Sequence, residues 1–90
     1  MKQTSIRNNI RALRFRAGEM TQQALADTIG VSRQTVVAIE GAKYSPTLEL
    51  AFRIAATFGL PLGEVFVYDP ASDRNAKGPA GLSLARRSKG

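Results

Sequence analysis

Residues Thr21 to Gly41 read TQQALADTIGVSRQTVVAIEG, and this stretch decides the fold. Thr21 can cap one short helix, Gly30 can end it, and Ser32 can cap a second. Val31 fills the turn between them. Leu25, Ala26, Ile29, Val36 and Ile39 recur at helical spacing, so the two helices share one apolar contact. With Val36 and Ile39 turned inward, Gln34, Val37, Ala38 and Gly41 turn outward and Arg33 lies at the edge.

Working outward, the spacing predicts a first helix over about Ser5 to Ala17, with Ile6, Ile10, Leu13 and Ala17 as its core stripe. Arg7, Arg11 and Arg14 form a second stripe on that helix. They fit a solvated face, phosphate contacts or an internal ion pair equally well. After the Thr21–Gly41 unit, Gly41 to Pro46 is a loop and Thr47 can cap a fourth helix, about Leu48 to Phe58. Leu48, Ala51, Ala55 and Phe58 share one face of it, with Ile54 beside them. Gly59 ends this helix, and Pro61 favours a last helical turn over Leu62 to Phe66. The expected fold is therefore all-α, a compact five-helix domain over residues 1–68. Val65-Phe66-Val67-Tyr68 is also β-prone, and the helical reading leaves that strand no partner within the chain. Pairing with a second copy of itself is the expectation. Residues 69–90 are rich in Pro, Gly, Ser and basic side chains and read as a disordered basic tail.

Ninety residues suit one small domain and a tail. The chain has 13 Lys and Arg against 7 Asp and Glu, a net charge of +6 that favours polyanionic partners. Residues 1–68 carry 8 basic and 5 acidic side chains, so the domain itself is only +3. Placement of charge must therefore decide what it binds. Cysteine and histidine are absent, which removes thiol, disulfide and imidazole chemistry. The acids are scattered without metal-ligand spacing, so no metal and no cofactor are expected. No nucleophile–base pair supports an enzyme. No apolar run approaches the ~20 residues of a membrane span, and the N-terminus lacks a signal-peptide core. A cytoplasmic location follows as the expectation.

Double-stranded DNA fits the Thr21–Gly41 unit best. The layout is that of a helix-turn-helix reader, whose second helix enters the major groove. Arg33 can bond both acceptors of a guanine, and Gln34 can bond an adenine's donor and acceptor together. Val37 and Ala38 can pack on a thymine methyl. Each two-point contact is worth roughly 1–3 kcal/mol against the wrong base. Around them, Thr21, Gln22, Ser32, Lys43, Tyr44 and Arg11 are the candidate phosphate contacts. Thr21 and Gln22 sit at a helix N-terminus, where free N–H groups and the dipole attract an anion. Thr21 can equally be a plain cap, and Tyr44 can equally pack at the start of helix four. Glu40 lies on the inner side of helix three and would be costly unpaired, so Arg14 is its candidate partner.

Residues from about Asn8 to Tyr68 resemble the Xre/Cro-like helix-turn-helix transcriptional regulators, which have the lambda-repressor-like five-helix fold. The motifs Arg11-Ala12-Leu13-Arg14, Met20-Thr21-Gln22, Leu25-Ala26, Gly30 to Val36 and Ile39-Glu40 carry the resemblance. Tyr44 to Ala51, Ile54-Ala55, Phe58-Gly59 and Val65-Phe66 continue it. The resemblance implies a homodimer on a pseudo-palindromic operator, with half-sites about one DNA turn (~34 Å) apart. It implies that Gln22 reaches phosphate, that Arg33, Gln34, Val37 and Ala38 face bases, and that Arg14–Glu40 is an internal ion pair. The sequence departs from the family twice. Gly41-Ala42 stands where a polar or basic residue and then Gly are usual, and an Ala42 held left-handed costs roughly 1–2 kcal/mol. Gly18-Glu19-Met20 is one residue longer than the commonest form of that turn. The expected function is a sequence-specific transcriptional regulator, a repressor. The alternative is an antitoxin-like or adaptor protein that binds a partner protein and uses DNA binding for autoregulation.

Overall fold

The computed structural model describes residues 4–73. The elements are β1 (Ile6–Asn8), α1 (Ile10–Arg16), α2 (Gln22–Ile29), α3 (Arg33–Glu40), α4 (Leu48–Phe58), α5 (Leu62–Val65) and β2 (Phe66–Tyr68). A single 3-10 turn, Pro70–Ser72, follows β2. The tail beyond Asp73 lies outside the described residues.

Local chemistry sets the helix ends. The hydroxyls of Thr21, Ser32 and Thr47 accept the N–H of Ala24, Thr35 and Leu50, three residues on. Gly30 and Gly59 are left-handed and end α2 and α4. After each, the next residue bonds back to an earlier carbonyl, Val31 to Ala26 and Leu60 to Ala55. Both Val31 and Leu60 then pack on the core. That core holds Ile10, Leu13, Leu25, Ala26, Ile29, Val36, Ile39, Leu50, Ile54, Ala55 and Val65. Each fully buried Ile, Leu or Val contributes about 1.5–3 kcal/mol. The α2–α3 contact predicted from Leu25, Ala26, Ile29, Val36 and Ile39 is made by buried residues throughout.

Three expectations are corrected. The first helix starts at Ile10, and Ile6–Asn8 is a strand. The Asn8 side-chain oxygen accepts the Ile10 N–H at 3.1 Å, a local turn that competes with helix. Ile6 is half-buried in the strand and Ala17 is exposed after the last turn, so neither extends the core stripe. Second, β2 has a partner within the chain. It runs antiparallel to β1, with Ile6 opposite Tyr68, Arg7 opposite Val67 and Asn8 opposite Phe66. Third, Leu48 is exposed on α4 and Leu50 is buried in its place. The inward face of α4 is Leu50, Ala51, Ile54 and Ala55, centred about a quarter turn from Leu48.

β1 and Thr4 just before it also hold the end of α3. Thr4 N–H donates to the Ala42 carbonyl at 2.9 Å, and Asn8 Nδ2 donates to the Ile39 carbonyl at 2.8 Å. Ala42 is left-handed, with φ +59°. It terminates α3 as a glycine usually would, because Lys43 N–H reaches back to the Ala38 carbonyl at 2.9 Å. Gly41, one position earlier, has φ −81° and makes no use of its freedom.

Candidate nucleic-acid interface

α3 is aimed by its surroundings. Ser32 caps its N-terminus, Val36 and Ile39 anchor its inner face, and Asn8 of β1 bonds the Ile39 carbonyl near its C-terminus. What remains outward is Arg33 and Gln34, both exposed, then Val37 at 42% exposure and the half-buried Ala38. The helix has one acid, Glu40, two turns below Arg33, and it is largely buried against Arg14.

Glu40 lies at the floor of an open cleft of about 430 Å³ between α1, α2 and α3. Arg14 Nε lies 2.6 Å from Glu40 Oε2, and Arg14 Nη2 donates to Oε1 at 3.2 Å. The two side chains retain only 11% and 10% of their exposure. Arg14 Nη1 also donates to the Met20 carbonyl at 2.8 Å, closing the α1–α2 turn. The carboxylate is thus neutralised by a two-point guanidinium contact, the strongest common geometry for such a pair.

The rim of that cleft carries Arg11, Thr21, Gln22 and Arg33. Four of the residues singled out in the sequence therefore share one surface around the ion pair. Gln22 has a duty the sequence did not suggest: its Nε2 donates to Glu40 Oε1 at 3.3 Å. Its side chain is half-buried and held. Its backbone N–H and that of Gln23, ahead of the first intrahelical bond, are the donors at this helix start. Thr21 spends its hydroxyl on the cap, accepting from Ala24 N–H at 2.9 Å. Arg11 is exposed and lies over the Phe15 ring, 5.8 Å from its centroid. Arg7 is separated from this group and pairs with Asp69 at 3.5 Å.

At the other end of α3, Lys43 and Tyr44 are both exposed. α3 therefore has basic or polar groups at each end and apolar Val37 between. Arg53 is a further positioning residue that the sequence did not single out. Its Nη1 donates to the Ile29 carbonyl at 2.9 Å, joining α4 to the end of α2 just before the turn. Its pairing with Glu49 in the same helix gives an ordinary surface signal that hides this longer reach. No helix among the described residues is long and apolar enough to cross a membrane.

The sequence profile of the helix-turn-helix family matches residues 10–65, from the first residue of α1 to the end of α5. An HTH-type transcriptional regulator of Methanocaldococcus jannaschii is 52% identical over 50 residues, spanning 56% of this chain and 76% of that protein. One from Archaeoglobus fulgidus is 42% identical over 64 residues, spanning 71% and 90%. The HTH-type transcriptional regulator YgzD of Bacillus subtilis is 43% identical over 61 residues, spanning 68% and 91%.

Proposed function

The chain belongs to the helix-turn-helix family of DNA-binding transcriptional regulators, and on that premise we propose that it is a repressor acting as a homodimer on a two-fold-related operator. α3 lies in the major groove. Arg33 and Gln34 read base edges, and Val37 and Ala38 pack on thymine methyls. The start of α2, with Thr21 and Gln22, meets a phosphate on one side, while Lys43 and Tyr44 meet phosphates beyond the other end. Ser32 and Arg11 flank the same backbone. No cofactor and no catalytic step enter this reading. Repression follows by occupancy, since a bound dimer excludes other proteins from the same stretch of duplex.

One observation carries the reading. The exposed side of α3 presents Arg33 and Gln34 with no acid beside them, because its carboxylate, Glu40, is turned inward against Arg14. The test is selection of bound duplexes from a random DNA pool at a stated salt concentration. An enriched sequence with two related halves is expected. Recovery of no preferred sequence would remove base reading by α3, and a single unrepeated half would remove the operator symmetry.

A further inference from the structure

We propose that Phe15 is a positioning residue for phosphate contact: its ring holds the Arg11 guanidinium at the rim of the cleft between α1, α2 and α3. The proposal rests on the DNA reading above and deepens it, since it adds a residue of α1 to the side that grips the duplex backbone.

The arginines near the N-terminus are committed to different degrees. Arg7 pairs with Asp69, and Arg14 is held by Glu40 and the Met20 carbonyl. Arg11 is exposed and, among the described residues, makes no ion pair and no side-chain hydrogen bond. What it has instead is the Phe15 ring, whose centroid lies 5.8 Å from the guanidinium carbon. That distance is inside the ~6 Å reach of a cation–π contact. The two residues are four apart, so they share one face of α1. A long helical side chain leans back toward the N-terminus, which brings the ring over the turn that carries Arg11. Phe15 is 55% exposed and lies outside the core cluster, so a ring face is free for this contact.

The pair stands between two clefts. One is the cleft of about 430 Å³ that also carries Thr21, Gln22, Arg33 and the neutralised Glu40. The other, of about 400 Å³, is lined by Arg11 and Phe15 with Asn8, Asn9 and Ala12. An unrestrained arginine has many rotamers and swings its charge over either cleft or out into water. Ordering such a side chain on binding costs free energy. A guanidinium already resting on a ring has lost part of that freedom before the duplex arrives, and its charge is still unneutralised. The ring itself has neither charge nor hydrogen-bonding group, so its effect on a phosphate runs through Arg11. Phosphate carries no sequence information, so the effect is alike on all duplexes. The modest strength of an exposed cation–π contact sets the gain at about two- to five-fold in affinity.

The full chain is titrated by fluorescence anisotropy with the selected operator and with a random duplex of the same length, at several salt concentrations. Phe15→Leu keeps apolar bulk and removes the ring. It should weaken both duplexes alike, by about two- to five-fold. Phe15→Tyr keeps the ring and should bind as the parent does. Arg11→Ala should weaken both duplexes and lower the salt slope by about one. In the Arg11→Ala background Phe15→Leu should have no further effect, a result that a merely structural ring would not give. In the free chain the Arg11 side-chain protons should carry an upfield ring-current shift that Phe15→Leu abolishes. Thermal unfolding of each variant should stay near the parent, because both side chains are exposed. Equal losses from Phe15→Leu with and without Arg11, a Phe15→Leu chain that binds like the parent, or Arg11 protons indifferent to Phe15 would each overturn the proposal. Failure of base reading shows separately. If no sequence is preferred, base reading falls while the cycle on random duplex still decides Phe15; if an operator is preferred but the two losses simply add, base reading stands and Phe15 falls.

Discussion

Arg14 and Glu40 join α1 to the end of α3 through two bonds, at 2.6 and 3.2 Å, with both side chains about nine-tenths buried. The pair does two things at once. It fixes the angle of α3 against its scaffold, and it neutralises the one acid of that helix in the cleft that also carries Arg11 and Arg33. Breaking it leaves a nearly buried charge without its ionic partner. Arg14→Ala should therefore cost about 3 kcal/mol of folding stability, at the lower end for buried pairs because the cleft stays open to water. Glu40→Gln, which leaves Arg14 charged but keeps a hydrogen-bonding oxygen, should cost less. Urea denaturation of both single variants and the double variant checks this. A coupling energy near zero would mean that the two side chains act independently.

Base reading and phosphate contact separate in their salt dependence. Arg33→Ala should weaken the selected operator by roughly 1–3 kcal/mol and leave random duplex nearly unchanged. Lys43→Ala should weaken all duplexes alike and reduce the slope of log affinity against log salt by about one. Fluorescence anisotropy titrations at several salt concentrations measure both quantities. If Arg33→Ala lowers operator and random binding equally, the residue holds phosphate and reads nothing.

The end of α3 is strained at a known place. Ala42 sits at φ +59°, where a Cβ costs roughly 1–2 kcal/mol, while the adjacent Gly41 is at φ −81°. Ala42→Gly should therefore raise stability by about 1 kcal/mol, less than the full strain because glycine also adds freedom to the unfolded chain. The Thr4–Ala42 and Lys43–Ala38 backbone bonds need no Cβ and should persist. Thermal and urea unfolding of the variant against the parent decide the sign. A loss of stability would mean that the Ala42 methyl makes a contact worth more than the strain.

These sites differ in how far they could be read from the sequence. The caps at Thr21, Ser32 and Thr47 were legible because each bond closes within three residues. The left-handed stops at Gly30 and Gly59 were legible for the same local reason. The Arg33-Gln34 face followed from period alone once Val36 and Ile39 were placed inward. β1 was not legible. Ile6 fits the period of the following helix, and only β2, at the far end of the domain, gives its backbone a different partner. The facing of α4 failed in a similar way. Leu48 and Leu50 begin two overlapping apolar stripes, and packing against the rest of the core selects the second. Gln22 shows the same limit at the site itself, since its bond to Glu40 crosses from α2 to α3.

Tyr68 carries a pH-dependent contact just beyond β2. Its hydroxyl donates to Asp73 Oδ2 at 2.8 Å, and this bond, ahead of partial desolvation and the charges of Asp73 and Asp69, raises its pKa above the ordinary 10.0. A raised acid pKa means that the contact favours the fold below the unfolded value and is lost as pH rises through the folded one. Spectrophotometric titration in a Tyr44→Phe background isolates this phenol. Its midpoint should lie above that of the urea-unfolded chain and fall toward it in Asp73→Asn. Equal midpoints in the folded and unfolded chains would mean that the hydroxyl is not held by Asp73 in solution.

Asn8 joins three elements through one side chain. Its oxygen accepts the Ile10 N–H at 3.1 Å and so starts α1, while its Nδ2 donates to the Ile39 carbonyl at 2.8 Å near the end of α3. Its backbone meanwhile lies in β1, opposite Phe66. Asn8→Ala deletes both bonds and leaves the part-buried carbonyl unsatisfied, a loss of about 1–3 kcal/mol. Asn8→Asp separates the two duties. The carboxylate still accepts from Ile10 but has no proton to donate, so it faces the Ile39 carbonyl with like polarity. Asn8→Asp should therefore be at least as destabilising as Asn8→Ala at neutral pH, and should recover as acid protonates the new carboxyl. Urea unfolding of both variants across that pH range tests the assignment. If Asn8→Asp matched the parent at neutral pH, the bond to Ile39 would contribute nothing, and the end of α3 would be held by Thr4 and the Ala42 turn alone.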